Sequence, residues 1–247
     1  MRLRALAPLA LALLAGHPAL ADDQLQALSH TLDALFRADT SQGVMAMTVV
    51  TPDYERTLKM SVATRGLDDT LVRILEPHKE RGISTLKKGT EMWNYLPRIK
   101  KVMRIPPSMM MGSWMGSDFT NDDLVRGSSW EADYTATLAP DQPADAPCIV
   151  YVPRPQAAVT WSKVEACFAG SPALPVRLDY FDEKGRKART MTFEAIKELG
   201  GRRIPTKTTL VPLLKPGHRT VMEYLEMTYD APLPPNTFSQ AALRRDL

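Results

Sequence analysis

From Val44 to Tyr229 the chain repeats one pattern: short runs in which apolar residues alternate with their neighbours, separated by turn residues. A period of two puts successive side chains on opposite faces of a strand. Met45, Met47 and Val49 alternate with Val44, Ala46 and Thr48, and Leu58, Met60 and Val62 share one face of 56–62. Val176, Leu178 and Tyr180 do the same within 175–181. Further strands are predicted at 70–75, 82–87, 92–96, 99–105, 134–138, 148–152, 160–168, 187–198, 202–213 and 218–229, with Pro205 and Pro212 marking a bulge or an edge. Pro52-Asp53, Gly66-Leu67-Asp68, Lys88-Gly89 and Glu183-Lys184-Gly185 supply turns, and 141–147 is a Pro/Ala loop. Short alternating strands joined by hairpin turns make an antiparallel meander. One long meander must hide an apolar face, so the predicted class is mainly β (α+β), a meander curved into an unclosed half-barrel.

Two segments can plug the open side. Leu25, Leu28, Leu32, Leu35 and Phe36 recur at three- and four-residue steps, which predicts a helix over 22–38 stopped by Thr40-Ser41-Gln42-Gly43. The other is the stretch 91–126. Its strand-like run Met92-Trp93-Asn94-Tyr95-Leu96 meets a Pro97-Arg98 turn, and Pro106-Pro107 ends the next run. Then come Met109, Met110, Met111, Gly112, Trp114, Met115 and Gly116, followed by Asp118-Phe119-Thr120-Asn121-Asp122-Asp123. Methionine is unbranched and polarizable and suits variable apolar partners. The segment therefore reads either as a buried connection packed on the sheet or as a flexible lid over an apolar cavity. The candidate ligand-binding residues are Met92, Trp93, Tyr95, Met109, Met110, Met111, Trp114, Met115 and Phe119. Trp93 and Tyr95 share one strand face and Met92, Asn94 and Leu96 the other, and alternation alone leaves both as candidates for the interior. Thr120 or Asn121 is expected to start a short helix with acidic residues in its first turn.

The first residues form a secretory leader: Arg2 and Arg4, an apolar core at 6–14, and the small-residue cleavage site Ala19-Leu20-Ala21. The expected division is a signal peptide at 1–21 and a single domain at 22–247. The apolar core is too short to span a bilayer, and no later run of about 18 apolar residues follows. A periplasmic location fits. Removing Arg2 and Arg4 from the 31 basic residues leaves 29 against 28 acidic ones, a balance that gives no electrostatic case for nucleic acid. Arg98, Lys100, Lys101 and Arg104 are a local group that reads as edge protection, or as attraction to a membrane surface. Cys148 and Cys167 are expected to bond in an oxidising compartment, closing a loop of about 20 residues worth roughly 3 kcal/mol.

Catalytic signatures are missing from the sequence. His30, His78 and His218 fall in different elements without ligand spacing, and no GxSxG, P-loop, HExxH or dinucleotide fingerprint occurs. Asp118, Asp122 and Asp123 lack the glycine and distal glutamate of a calcium loop. The expectation is a non-enzyme with no cofactor and no metal.

The run MWNYLPRIKKVMRIPPSMMMGSWMGSDFTNDDL resembles the signature of the bacterial outer-membrane lipoprotein-sorting protein family, related to the LolA-like periplasmic carriers. The leader, helix and meander extend the resemblance over nearly all of the chain after residue 21. The chain departs from LolA proper in the long Met/Trp segment and in the cysteine pair. The resemblance implies an unclosed β-barrel with helices in its mouth, an apolar cavity for acyl chains, and an inner-membrane transporter as partner. The expected function is carriage of lipoprotein acyl chains or another lipid cargo toward the outer membrane by a monomer that meets the membrane peripherally. The alternative is an accessory or sensor protein of a membrane transporter or regulator, with the same fold serving as a protein-binding module.

Overall fold

The computed structural model describes residues 18–126, 130–140, 142–143, 145–157 and 159–245. Residues 1–17, most of the expected leader, and Asp141 and Ala144 of the Pro/Ala loop lie outside the described residues. Helix α1 spans Pro18–Ala34, and the short helices α2, α3 and α4 span Asn121–Arg126, Trp130–Asp133 and Gln240–Leu243. The first six strands are β1 Thr40–Val50, β2 Glu55–Arg65, β3 Asp69–Glu76, β4 Ser84–Lys88, β5 Glu91–Leu96 and β6 Lys101–Arg104. The remaining seven are β7 Tyr134–Leu138, β8 Cys148–Pro153, β9 Lys163–Ala169, β10 Leu174–Phe181, β11 Lys187–Leu199, β12 Arg202–Pro212 and β13 Arg219–Tyr229. Each predicted strand has a counterpart. Among the described helices none is long and apolar enough to cross a membrane.

All thirteen strands form one sheet in the order β6-β5-β4-β3-β2-β1-β13-β12-β11-β10-β9-β8-β7. Its neighbours are antiparallel throughout, and β13 pairs with β1. The chain lays down β1 to β6 outward, crosses to the far edge, and returns through β7 to β13. The edges β6 and β7 are the two ends of that order, so the sheet does not close into a barrel. Topology therefore places residues 105–126 and 130–133 between the two edges of the half-barrel, on its open side.

The concave face holds two apolar clusters. One joins Leu28 and Leu32 of α1, and Leu35 of the turn after it, to Ile149, Tyr151, Val164, Phe168, Leu178 and Tyr180. The other joins Met45, Met47, Met60 and Met92 to Leu58, Val72, Ile74 and Trp114. On the convex face, Phe238 and Leu243 of the C-terminal tail cover Leu86, with Trp93 and Tyr95 packed against them. Cys148 and Cys167 are register partners on β8 and β9 and are bonded.

Two local expectations are corrected. The helix ends at Ala34 rather than near 38, and Thr40 to Gly43 begin β1. Gly43 serves there as a close-approach residue: a Cβ on it would lie 2.0 Å from the Glu226 carbonyl oxygen of β13. The run 99–105 is a 3-10 turn at Pro97–Ile99 followed by four-residue β6, because Lys100 takes the left-handed conformation with φ 51°. The Met-rich segment, read from sequence as a buried connection or a lid, is a folded unit packed on the sheet. Its Trp114 N–H donates to the Phe119 carbonyl at 2.8 Å and Asn121 N–H to the Gly112 carbonyl at 3.0 Å. Pro205 sits where β12 has β11 on one side and no β13 pairing on the other, since β12 meets β13 only over Lys207 to Leu210. A missing donor is tolerated at such a local edge.

Candidate functional site

A cavity of about 350 Å³ lies between the concave face and its two roofs. Met45, Met191, Phe193, Thr208, Met222 and Tyr224 form its floor. Leu32 of α1 with Leu35 and Phe36 of the turn after it cover one side, and Trp114, Phe119 and Leu124 of the crossing segment cover the other. Trp130, Tyr134, Trp161 and Tyr180 line the end toward β7 to β10. Phe36 stacks on Tyr224 with ring centroids 4.4 Å apart, so the turn that follows α1 is pinned to the floor. A bulge in the register of β1 with β13 skips Leu225, which is left exposed, and lets both Tyr224 and Met227 face the cavity.

The walls are mostly apolar, with polar groups toward the two ends of the strands. At one end, Asp123 of α2 receives both terminal nitrogens of Arg189 on β11, at 2.8 and 2.6 Å. The Arg189 guanidinium also lies over the rings of Trp161 and Tyr180, 4.4 and 4.2 Å from their centroids. Burial alone would raise the Asp123 carboxyl. The Arg189 charge and the Thr120 hydrogen bonds outweigh it and hold the carboxyl below its ordinary range. Burial likewise opposes the Arg189 charge, and Asp123 more than restores it. Burial pushes the Tyr180 phenol up to about 12. Thr120 caps α2: its hydroxyl accepts from Asp123 N–H at 3.1 Å while its own N–H donates to the Asp123 carboxylate at 2.8 Å. This is a reciprocal capping box, matching the expected helix start. At the other end Ser41 and Thr64 share a 2.6 Å hydrogen bond, beside Arg37. Thr208 Oγ1 is buried in the floor and has no hydrogen-bond partner among the described residues.

The crossing segment is fixed at a few polar points. Trp114 is 2% exposed, and its Nε1–H donates to Thr85 Oγ1 at 3.2 Å. Arg56 donates to the Met115 carbonyl. Asp118 N–H donates to Thr220 Oγ1 at 2.9 Å, and that hydroxyl donates back to the Asp118 carboxylate at 2.8 Å. Asp118, Asp122 and Asp123 do not converge. They reach Thr220, Thr160 and Arg189 respectively.

Of the residues singled out by sequence, Trp114 and Phe119 line the cavity. Met92 is fully buried beneath Trp114, and Met110 and Met115 pack on the same cluster. Met109 and Met111 are exposed. Trp93 and Tyr95 lie on the convex face under the tail, away from the cavity. Sequence reasoning missed Arg189, Arg37 and the aromatic end wall. Arg189 had a signal: it shares one strand face with Met191 and Phe193, and a charge on an apolar face needs a partner.

A family model described as an uncharacterized protein matches residues 66–245. Among curated proteins none matches the chain. A DUF1329 family protein from Desulfovibrio piger shares the fold with a TM-score of 0.79 at 21% identity, over 90% of this chain and 99% of that one. A protein described as an outer membrane lipoprotein-sorting domain, from Vibrio parahaemolyticus, gives 0.76 at 20% identity over 90% and 99%. A LolA superfamily protein from Nitrosomonas europaea gives 0.72 at 23% identity over 88% and 98%. The likeness to the lipoprotein-sorting and LolA proteins is thus one of fold, across the whole sheet.

Proposed function

We infer that this chain, which belongs to the family matched over residues 66–245, is a non-catalytic carrier that holds acyl chains of a lipoprotein or another lipid in the cavity under the crossing segment. The observation that carries this reading is the apolar cavity itself, roofed on one side by a segment attached at separate polar points. Each buried CH₂ of a lipid contributes about 0.8 kcal/mol, so such a site needs apolar area more than specific polar contacts. A volume of about 350 Å³ is near the lower end for small-molecule sites. A lipid with several chains would therefore displace the roof, and the methionines beneath it would repack around the guest. The unpartnered Thr208 hydroxyl is placed to donate to an ester carbonyl of the cargo.

The carrier works in the periplasm after loss of residues 1–21. Cleavage there would remove residues 18–21 from the described span of α1, Pro18–Ala34, and leave the leucines that face the sheet. The test is native mass spectrometry of the secreted protein purified gently, followed by lipid extraction and titration with an apolar fluorescent probe. A co-purifying acylated species, displaced by the probe, is expected. An empty protein that does not take up the probe contradicts the reading and favours an accessory role at a membrane transporter.

A further inference from the structure

Antiparallel pairing sends the β1–β2, β3–β4, β5–β6 and β12–β13 connections to the same end of the sheet. Neighbouring tips touch there. A Cβ placed on Gly82 would lie 3.6 Å from Pro97 Cγ, and one on Gly217 would lie 3.0 Å from Pro52 Cγ. This rim carries large apolar side chains in water: Ile99 is 62% exposed, Leu214 58%, Tyr54 49% and Leu213 44%.

Cations accompany them. Arg98, Lys100 and Lys101 surround Ile99 at the apex of its hairpin, and Lys215 follows Leu214; all four are exposed. None of the four makes an ion pair among the described residues. The acids of the rim are otherwise engaged or lie apart. Glu80 pairs with Arg56 at 3.2 Å and Glu76 with Lys59 at 3.8 Å, while Asp53 and Glu55 flank Tyr54.

We propose that this rim is the surface by which the protein docks on a bilayer containing anionic phospholipid. Apolar apices flanked by unpaired cations suit an interface with buried chains below and phosphates above. The apices stand on separate, convex hairpin tips. A shaped protein groove would have to match each one, whereas a fluid interface accepts them independently. The proposal rests on the carrier reading for its purpose, because it brings the cavity's roof to the membrane. The Met115–Asp118 turn of the crossing segment is anchored on this same rim by Arg56 and Thr220.

The test is cosedimentation of the secreted protein with vesicles of mixed phosphatidylglycerol and phosphatidylcholine, against vesicles of phosphatidylcholine alone. Binding to the anionic vesicles, weakened by salt, is expected. The triple variant Arg98→Gln, Lys100→Gln, Lys101→Gln should weaken it by about tenfold or more. Ile99→Ser with Leu214→Ser should also weaken it. Leu67→Ser, on the opposite end of the sheet, should not. Probe uptake by the cavity is measured on each protein in parallel. Absence of vesicle binding, or rim variants that bind like the parent, overturns the docking surface even if the cavity takes up the probe. Intact vesicle binding by a protein that takes up no probe removes the carrier reading and leaves the docking surface standing.

Discussion

Over β7 to β10 the concave face is covered by α1 and the turn after it, whose Leu28, Leu32 and Leu35 join the aromatic and aliphatic residues beneath into one buried cluster. Over β1 to β5 it is covered by the crossing segment, which rests on Met45, Met47, Met60 and Met92 through a single fully buried side chain, Trp114. The helical roof is held by continuous apolar packing and by the hydrogen bond of Ser29 to the Tyr151 hydroxyl at 2.9 Å. The other roof has only partly buried apolar residues around Trp114, among them Met110, Met115, Phe119 and Leu124, and is fastened at polar points: Trp114 on Thr85, Met115 on Arg56, Asp118 on Thr220 and Asp123 on Arg189. Continuous packing is lost all together, whereas point attachments over adaptable methionines can be released while the sheet stays folded. One half of the face is thereby suited to permanence and the other to opening.

The sharpest way to break this comparison is at Arg189. Arg189→Met leaves the Asp123 carboxylate without its counter-charge and should cost about 3 to 5 kcal/mol in denaturant unfolding. Adding Asp123→Leu should recover most of that loss. Because the Asp123 carboxyl is held below its ordinary range, its contribution is complete above the unfolded value of about 3.9 and fades as pH falls through the lower folded value. Acid below about pH 4 should therefore loosen the crossing segment in the parent and have less effect in the double variant.

Next in size is the contrast between the two clusters. Leu28→Ala should cost about 3 kcal/mol and destabilise the whole domain, because Leu28 is 5% exposed within the helical roof. Met60→Leu, in the methionine floor, should cost under about 1.5 kcal/mol, as volume-conserving swaps do. Equal costs would show that the floor is as tightly specified as the helical side. Trp114→Phe removes one hydrogen bond to Thr85 and should cost about 1 kcal/mol, with greater uptake of an apolar probe. Unchanged uptake would mean that Trp114 does not gate the cavity.

A pH-dependent effect is expected at the buried Lys87 of β4, whose ammonium donates to the Leu67 carbonyl. Burial, and then the neighbouring Arg37 charge, bring its ammonium down to about 8. The unfolded chain binds the extra proton between that value and about 10.4, so stability should rise with pH across this interval. Lys87→Met should flatten the rise. A parent protein without it would show that Lys87 is better solvated than its burial suggests.

Strand alternation made the sheet legible, because one apolar face repeated every second residue leaves little choice of register. The helix stripe at Leu25, Leu28 and Leu32 was legible for the same reason, but its end was not. Residues 40–43 look like a helix stop, and their pairing with β2 on one side and β13 on the other shows them to be strand. The faces of β5 could not be told apart, since Met92 and Leu96 are as apolar as Trp93 and Tyr95. Phe238 and Leu243, more than 140 residues later, decide the matter by covering one side. Trp114 and Phe119 were found by their setting among methionines and glycines. Arg189, Tyr180 and Tyr224 were not, because they reach the cavity from strands whose neighbours are set by the return of β7 to β13 across the sheet.

Native-state hydrogen exchange, followed by mass spectrometry with and without an apolar lipid, separates the two roofs most directly. The amides of Trp114 and Asn121, bonded to Phe119 and Gly112, should exchange through an opening of lower free energy than those of α1 from Leu28 to Ala34, and lipid should slow them. Exchange of both roofs in one cooperative event, unaltered by lipid, would contradict an independently opening roof.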